Sequence, residues 1–307
     1  MAVRSWPCMA TLVILAACTT TEQGGPKDGS QADVRINAVD PAQQIGFDSA
    51  CELVKNAEQD RIKFPGQATA GHMHAFFCTD IQPDSTVAQL RQMGTNSNRD
   101  TDTAAYWVRA LERPDGRLID PVGFKAYYRT QVPPDRLTPM PAGLKMIFGN
   151  AAAIGAQPFA VTSWNCRNMQ TGQVTGSWAE PYECESPVAR PRLKVIGPQC
   201  WNGKNLDSTD HMSHVAYPIK RDGQWTCPDS HPEAFIRPAL QISYPSDAEA
   251  EDPVNYETAT LGDGGRHSAH ADFMNGWILQ GPGGLRALEA NCFKGSGEFC
   301  GLGDQPR

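Results

Sequence analysis

The chain contains two stretches, Arg192-Leu193-Lys194-Val195-Ile196 and Leu240-Gln241-Ile242-Ser243-Tyr244, in which polar and apolar residues alternate. Alternation of this kind is typical of β-strands that bury one face and expose the other. Further short runs, separated by Pro- and Gly-rich turns, predict strands at 104–111, 124–128, 144–148 and 159–163. Many short strands predict a mainly β fold, a single β-sandwich or jelly-roll-like domain with long irregular loops and few short helices.

One segment has a helical pattern instead. Asp48–Arg61 places apolar residues at helical spacing after Asp48, a residue type that often caps the N-terminus of a helix. We therefore expect one helix in this segment.

The composition is that of an acidic globular protein. Of the 307 residues, 40% are hydrophobic, and 27 Lys and Arg against 34 Asp and Glu leave a net charge of −7. A chain of this length can bury a substantial core. Because it has no overall positive field to attract phosphates, nucleic acid is not an expected partner.

The N-terminus predicts export and attachment to a membrane through a lipid. Met9–Ala17 carries no charge and is too short to span a bilayer, so residues 1–17 are expected to be a signal peptide. The string Leu15-Ala16-Ala17-Cys18 resembles a bacterial lipoprotein signal, which implies a lipid on Cys18, and Thr19 implies the outer membrane. Ordinary secretion with cleavage near Ala17 is the alternative. Residues 18–44 are polar and are expected to be a flexible tether before a single domain over 45–307.

The cysteine content agrees with export. Once Cys8 and Cys18 are set aside, an even number of cysteines remains, and outside the cytoplasm this predicts disulfides. The sequence does not determine their connectivity, but we expect neighbours in sequence to pair. The expected pairs are Cys51–Cys78, Cys166–Cys184, Cys200–Cys227 and Cys292–Cys300. The chain has no C-x-x-C pair, which argues against a cysteine-ligated zinc site.

All seven histidines of the chain fall in four short segments. They are His72 and His74, His211 and His214, His231, and His267 and His270. On a strand, His72 and His74 would point to the same side, and on a helical turn each of the other two pairs would share a face. The three pairs can therefore converge on one polar site, although no local pattern shows that they do.

Three roles for this histidine set remain open. The first is a zinc or copper site, with His72, His74, His211 and His214 as candidate ligands. The second is a metal-free site in which histidine acts as a general acid or base beside a carboxylate such as Asp272. The third is structural, with imidazoles that hydrogen-bond loops.

Five segments, taken in order, resemble a known family. The most specific is CWNGKNLDSTDHMSHVAYP at 200–218, and the others are GHMHAFF at 71–77, AAYW at 104–107, PAGLKMI at 141–147 and HSAHADFMNGW at 267–277. Together they resemble the family of domains of unknown function named DUF1996, over residues 66–292. Proteins of this family are secreted, occur in fungi and bacteria and are sometimes fused to carbohydrate-binding modules or WSC domains, which implies work on or near a polysaccharide. Family members often have Gly where this chain has Cys78, and a disulfide to Cys51 would explain the difference.

These observations predict an exported, lipid-anchored, carbohydrate-active protein of the cell envelope, a hydrolase or lyase whose partner is a polysaccharide or envelope glycan. The alternatives are a histidine-ligated zinc or copper protein and a non-catalytic glycan-binding or envelope protein. The candidate catalytic residues are His72, His74, Asp210, His211, His214, His270 and Asp272. Aromatic, cationic and amide side chains in the same segments could contact a sugar. The candidate substrate-binding residues are Tyr106, Trp107, Lys145, Trp201, Lys204, Asn205, Asp207, Tyr217, His231, His267, Asn275 and Trp277.

Overall fold

Strands make up most of the regular structure in residues 45–262, 265–295 and 299–301, the parts of the chain that the computed structural model describes. In chain order they are β1 (Gly46–Cys51), β2 (Leu53–Ala57), β3 (His74–Phe77), β4 (Ala105–Arg109), β5 (Leu111–Glu112), β6 (Leu118–Ile119), β7 (Gly123–Arg129), β8 (Lys145–Gly149), β9 (Thr162–Asn168), β10 (Val174–Trp178), β11 (Ala189–Ile196), β12 (Cys200–Trp201), β13 (Val215–Ala216), β14 (Ile219–Arg221), β15 (Gln224–Thr226), β16 (Glu233–Ala234), β17 (Arg237–Ser243), β18 (His270–Met274) and β19 (Phe299–Cys300). The α-helices of these residues are α1 (Val87–Met93) and α2 (Leu285–Glu289), with a 3-10 turn at Pro134–Arg136 and a π-helical turn at Ala290–Gly295.

Two large sheets pack face to face. One has seven strands in the order β10-β9-β11-β17-β7-β1-β19, and the other has five in the order β2-β3-β4-β18-β8. Phe124 of β7 reaches across the interface, with its ring centroid 4.3 Å from that of Phe77 on β3 and 5.3 Å from that of Tyr106 on β4. These three rings belong to one buried hydrophobic cluster that draws on both sheets. The predicted mainly β, sandwich-type fold is therefore confirmed.

The two alternating stretches form neighbouring strands of the seven-stranded sheet. Leu193 pairs with Ile242 and Lys194 with Gln241 across the antiparallel β11–β17 ladder. Leu193 and Ile242 are buried in the core between the sheets, whereas Lys194 and Gln241 are only partly buried. The period of two in the sequence thus corresponds to the inner and outer faces of this sheet.

The helix predicted at Asp48–Arg61 is wrong, because the segment forms β1 and β2. Phe47 stacks on Tyr128 of the adjacent strand β7, with ring centroids 4.7 Å apart. Asp48 does not cap a helix, since its carboxylate pairs with the Lys125 ammonium of β7 at 2.8 Å. Pairing with β7 and burial of an aromatic ring outweigh the weak local preference for helix.

Two predicted strands have different bounds in the structure. Residues 104–111 divide into β4 and β5 at Ala110, whose backbone N–H donates to the Met73 carbonyl at 3.0 Å. At 159–163, the strand begins only at Thr162, because the Val161 N–H donates to the Pro158 carbonyl at 2.7 Å and closes a turn.

All four predicted disulfides are present, with neighbours in sequence paired. The Cys51–Cys78 bridge connects the two sheets, because Cys51 ends β1 and Cys78 directly follows β3. Cys78 has φ of 68°, in the left-handed region that favours glycine. Glycine would adopt this backbone conformation without steric cost.

The predicted signal peptide, the tether over 18–44 and the lipid site Cys18 lie outside the described residues and stay predictions. The described residues contain no helix that is both long and apolar enough to cross a bilayer.

A hydrogen-bonded chain of aromatic side chains in the core ends on a buried carboxyl group. The Trp277 indole N–H donates to the Tyr128 hydroxyl at 2.8 Å, and that oxygen lies 2.6 Å from the Tyr106 hydroxyl. Tyr106 donates in turn to Asp102 at 2.9 Å. Burial raises the pKa of Asp102 to about 7, against hydrogen bonds that lower it.

Asp102→Asn is expected to flatten the dependence of stability on pH. The folded protein keeps the Asp102 proton up to about pH 7 and the unfolded chain only to its ordinary value of 3.8, so stability falls as pH rises between the two. Between pH 5 and pH 8 this loss amounts to about 3 kcal/mol. Urea unfolding with intact disulfides should show a smaller difference between these pH values in Asp102→Asn. The exposed Asp115→Asn serves as control, and equal pH dependence in all three proteins would contradict the prediction.

Candidate metal centre

The outer face of the five-stranded sheet carries a row of polar side chains. His74 on β3 pairs with Arg109 on β4, and His270 on β18 pairs with Gly149 on β8. Asp272 lies two residues after His270, so its side chain points to the same face. This face is the side of the sheet that points away from the sandwich core.

Three histidines converge on this face. The Nε2 atom of His270 lies 3.0 Å from Nε2 of His72 and 3.4 Å from Nε2 of His74. His74 and His270 are buried, whereas His72 is partly exposed. One ligand atom from each of the three rings lies within 4.8 Å of the other two, close enough for all three to bind a single ion.

Backbone carbonyls orient two of these rings. Nδ1 of His74 lies 3.1 Å from the Gln59 carbonyl, and Nδ1 of His270 lies 2.9 Å from the Ser268 carbonyl. Because a carbonyl only accepts, each Nδ1 carries the proton and each neutral ring presents the lone pair of Nε2. Hydrogen bonding of the distal nitrogen to a carbonyl is the usual support for a metal-binding histidine.

Burial keeps the same rings neutral. It lowers the pKa of His74 well below its ordinary value, and the neighbouring His270 and His72 lower it further. Burial also lowers the pKa of His270 to about 3, against the hydrogen bond to Ser268, which raises it. Neutral imidazole is the form that binds metal ions.

Asp272 is a buried carboxyl group beside the three histidines. Its Oδ2 atom lies 3.9 Å from Nε2 of His74 and 3.8 Å from Nε2 of His270. Neither carboxyl oxygen has a hydrogen-bond partner among the described residues, although the side chain is fully buried. Burial raises the pKa of Asp272 well above its ordinary value, and the charge of Asp60 adds to the effect. A buried carboxylate without a donor is costly, and a bound cation would remove that cost.

Sequence reasoning missed several residues around this cluster. Gln59 and Ser268 act through backbone carbonyls, which no side-chain pattern reveals. Asp60 is buried and its pKa is raised by burial, while the Ile62 and Lys63 N–H groups donate to its carboxylate at 2.9 Å. Arg109 is a cation in the otherwise apolar stretch 104–111. This is the one sequence feature that could have indicated a further polar residue near the histidine cluster.

A second polar group lies at the edge strand β8. His211 Nδ1 lies 2.7 Å from one oxygen of Asp207, and the Lys145 ammonium lies 3.1 Å from the other. Burial opposes ionisation of Asp207, but these two hydrogen bonds outweigh it and lower its pKa.

The other histidines are held by the protein's own loops. His214 Nε2 donates to the Lys145 carbonyl at 2.7 Å, and its Nδ1 lies 2.8 Å from the Ser208 hydroxyl. His231 Nε2 lies 3.0 Å from the Ser213 carbonyl, and His267 lies 3.8 Å from Glu180. The expectation that the pairs 211/214 and 267/270 each share a face is wrong, because neither forms a helical turn and their rings bond to different partners. His214 is therefore excluded as a metal ligand in this conformation.

Four of the predicted sugar contacts are wrong, because their side chains are fully buried in the core. These residues are Tyr106, Trp107, Asn275 and Trp277. The amide of Asn275 donates to the Pro141 carbonyl at 2.8 Å, so its polar group is already satisfied.

The remaining candidates lie toward solvent, in the loop that carries the family signature. Trp201 donates to the Asn205 carbonyl at 2.6 Å, Tyr217 donates to the Ile196 carbonyl at 2.8 Å, and Lys204 is exposed. Asp210 is also exposed and accepts from Ser208 and Ser213, and these hydrogen bonds lower its pKa. In this loop Asp210 organises a turn, and it does not join the histidine cluster.

Fold and site together define a disulfide-bonded β-sandwich protein with a three-histidine cluster on one outer sheet face. The chain belongs to the family described as "Domain of unknown function (DUF1996)", which matches residues 60–277. The matched residues include all members of the histidine cluster. No curated protein and no solved structure matches the chain.

Proposed function

We propose that the protein is a metalloprotein that binds one zinc or copper ion through His72, His74 and His270, with Asp272 completing the donor set. The observation that carries the proposal is the meeting of three Nε2 atoms beside a fully buried carboxyl group that has no donor among the described residues. Three imidazoles and one carboxylate are a donor set typical of zinc and divalent copper.

The surroundings support binding of an ion in this place. The carbonyls of Gln59 and Ser268 hold two rings in the required orientation before any ion binds. His72 is partly exposed and provides a route from solvent. With Asp272 bound, four protein donors would fill a tetrahedral zinc ion, as in structural sites, whereas an open position would let the ion act as a Lewis acid on water.

The proposal includes the cellular location predicted from the sequence, a lipid-anchored protein of the bacterial cell envelope. Four disulfides support export, because such bonds persist in oxidising compartments. Polysaccharide cleavage and a glycan partner remain predictions, and the burial of Tyr106, Trp107 and Trp277 removes part of their original support.

Elemental analysis tests the metal directly. The full chain carrying Cys18→Ala, which removes the predicted lipid site, would be exported to the periplasm and purified without a histidine tag. We expect about one equivalent of zinc or copper per chain. A folded, disulfide-bonded protein that takes up neither ion, even after incubation with an excess of each, would overturn the proposal.

Asp272→Asn is expected to lower metal affinity by about 10- to 100-fold. The substitution keeps the size of the side chain but removes the negative charge that the ion would neutralise. The stability of the metal-free protein should not fall, because the substitution removes a buried carboxyl group that has no hydrogen-bond donor among the described residues. Competition with a chelator gives the affinity and urea unfolding gives the stability. The exposed Asp210→Asn is the control, and equal affinity in both variants would exclude Asp272 from the donor set.

A further inference from the structure

The outer face of the seven-stranded sheet is rich in cations, although the chain is acidic overall. This face is on the opposite side of the sandwich from the histidine cluster. Alternate residues of four adjacent strands point outward, so basic residues at alternate positions gather on one surface. The outward cations are Arg167 on β9, Arg190, Arg192 and Lys194 on β11, Arg237 on β17, and Lys125 and Arg129 on β7. We refer to this surface as the basic trough.

Carboxylates balance only part of this charge. Asp48 pairs with Lys125, and Glu249 pairs with Arg190. In the described ranges, the Lys194 ammonium has neither an ion pair nor a hydrogen bond, although the side chain is partly buried. Burial lowers the pKa of Lys194, and the positive charge of Arg237 lowers it further.

The guanidinium group of Arg237 also has a donor without an acceptor. Its Nε atom is buried and has no hydrogen-bond partner among the residues described, while its Nη1 donates to Gln131 at 2.9 Å. Burial, with a further contribution from the charge of Arg129, lowers its pKa to about 10. A buried donor on a cation without an acceptor is costly, and a bound anion would supply the missing acceptor.

The trough is long and continuous. A groove of about 410 Å³ is lined by Arg129, Lys194 and Arg237, and a second groove of about 500 Å³ is lined by Lys125, Arg167 and Arg190. The two grooves meet at Gln241, which lines both. Because β17 crosses this face for seven residues, the trough extends over roughly 20 Å, which suits a linear polymer better than a single small anion.

We propose that the basic trough binds a linear anionic polysaccharide whose sugar units carry carboxylates. Guanidinium groups bind carboxylates in a bidentate manner, and Arg129 and Arg237 line one groove from neighbouring strands. Neutral hydrogen-bonding groups that match sugar hydroxyls lie between the cations, including Gln131, Gln241 and Ser243.

The face favours this ligand over single-stranded nucleic acid. Nucleic acid strands bind with bases stacked on aromatic rings, as well as through backbone charge. Tyr127 lines the first of the two grooves, and cations lie over its ring, with Lys125 Nζ at 5.5 Å and Arg129 Cζ at 4.8 Å from the ring centroid. Its face therefore offers little room for a base.

Binding of polygalacturonate tests the proposal. The full chain with Cys18→Ala would be titrated with polygalacturonate, with fully methyl-esterified polygalacturonate as the uncharged counterpart, and with single-stranded DNA. We expect binding of the acid form that weakens with added salt and no binding of the ester. Lys194→Gln should weaken binding about tenfold, since it removes one charge-assisted contact and no internal hydrogen bond. Arg237→Gln should have a similar effect, with thermal melting as a check on folding.

The matched control is Lys220→Gln, an exposed lysine on the β14–β15 hairpin outside the trough, which should bind as the unsubstituted protein does. Absence of binding at low salt, equal binding by Lys194→Gln, equal binding of the ester, or tighter binding of DNA would each overturn the proposal. Protein stripped of metal by a chelator should bind polygalacturonate unchanged, so the outcome is independent of whether the histidine cluster holds an ion.

Discussion

His270→Ala is expected to lower zinc or copper affinity by at least about 100-fold. His270 is the common member of the cluster, because its Nε2 atom lies 3.0 Å from His72 Nε2 and 3.4 Å from His74 Nε2. Removing it leaves two nitrogen donors and the Asp272 carboxylate, and the ion loses the ring whose Nε2 atom lies close to both of the others. A competing chromophoric chelator measures the affinity, and elemental analysis of the purified variant measures the retained ion.

His231→Ala provides the matched control for this loss. His231 is also bonded to a backbone carbonyl, that of Ser213, but it lies outside the cluster. The control should retain the full affinity. Equal affinities in His270→Ala and the unsubstituted protein would show that the cluster does not bind the ion, and an equal loss in both variants would point to a general effect on folding.

Gly149→Ala is expected to destabilise the protein by about 3 kcal/mol or more and to weaken metal binding with it. Gly149 has φ of 86°, and a Cβ atom there would lie 2.5 Å from the Ala269 carbonyl oxygen and 2.8 Å from the His270 Cα. Both contacts are with backbone, so β18 would have to shift, and His270 would move with it. Urea unfolding with intact disulfides measures the first effect and chelator competition the second.

Gly116→Ala is the control that measures the strain of a positive φ without the steric clash found at Gly149. Gly116 has a similar φ of 82°, but no atom lies within 4 Å of a Cβ at that position. Alanine there should cost only about 1 kcal/mol and should leave metal affinity unchanged. Similar losses in the two variants would show that β18 accommodates a side chain opposite His270.

Fold class and disulfide pairing could be predicted from the sequence, because both depend on local patterns. The alternation around Lys194 and Gln241 reports directly which face is buried, and each cysteine pairs with its neighbour along the chain. The segment beginning at Asp48 was misjudged because its apolar spacing fits both a helix and a strand. Its state is decided by the ladder with β7, a partner more than seventy residues away in sequence.

The site was predicted only in part, since it depends on contacts between distant segments. The HxH spacing suggested that His72 and His74 lie side by side, and their ring centroids are 4.3 Å apart, although His72 precedes β3. The position of His270 beside them depends on the order of strands β3, β4 and β18, which no local pattern contains. For the same reason, the sequence could not separate His270 from His214, which bonds to a loop, or show that Trp277 is buried.

The two candidate sites lie on faces that point in opposite directions, because each belongs to the outer side of a different sheet. A polymer held in the basic trough would therefore leave His72, the partly exposed member of the histidine cluster, accessible to solvent. Sheets of a sandwich lie roughly 10 Å apart, so a rigid core separates the two ligands without a flexible hinge between them. Such an arrangement would make the domain bivalent, with a polymer strand held on one face and a metal ion bound on the other.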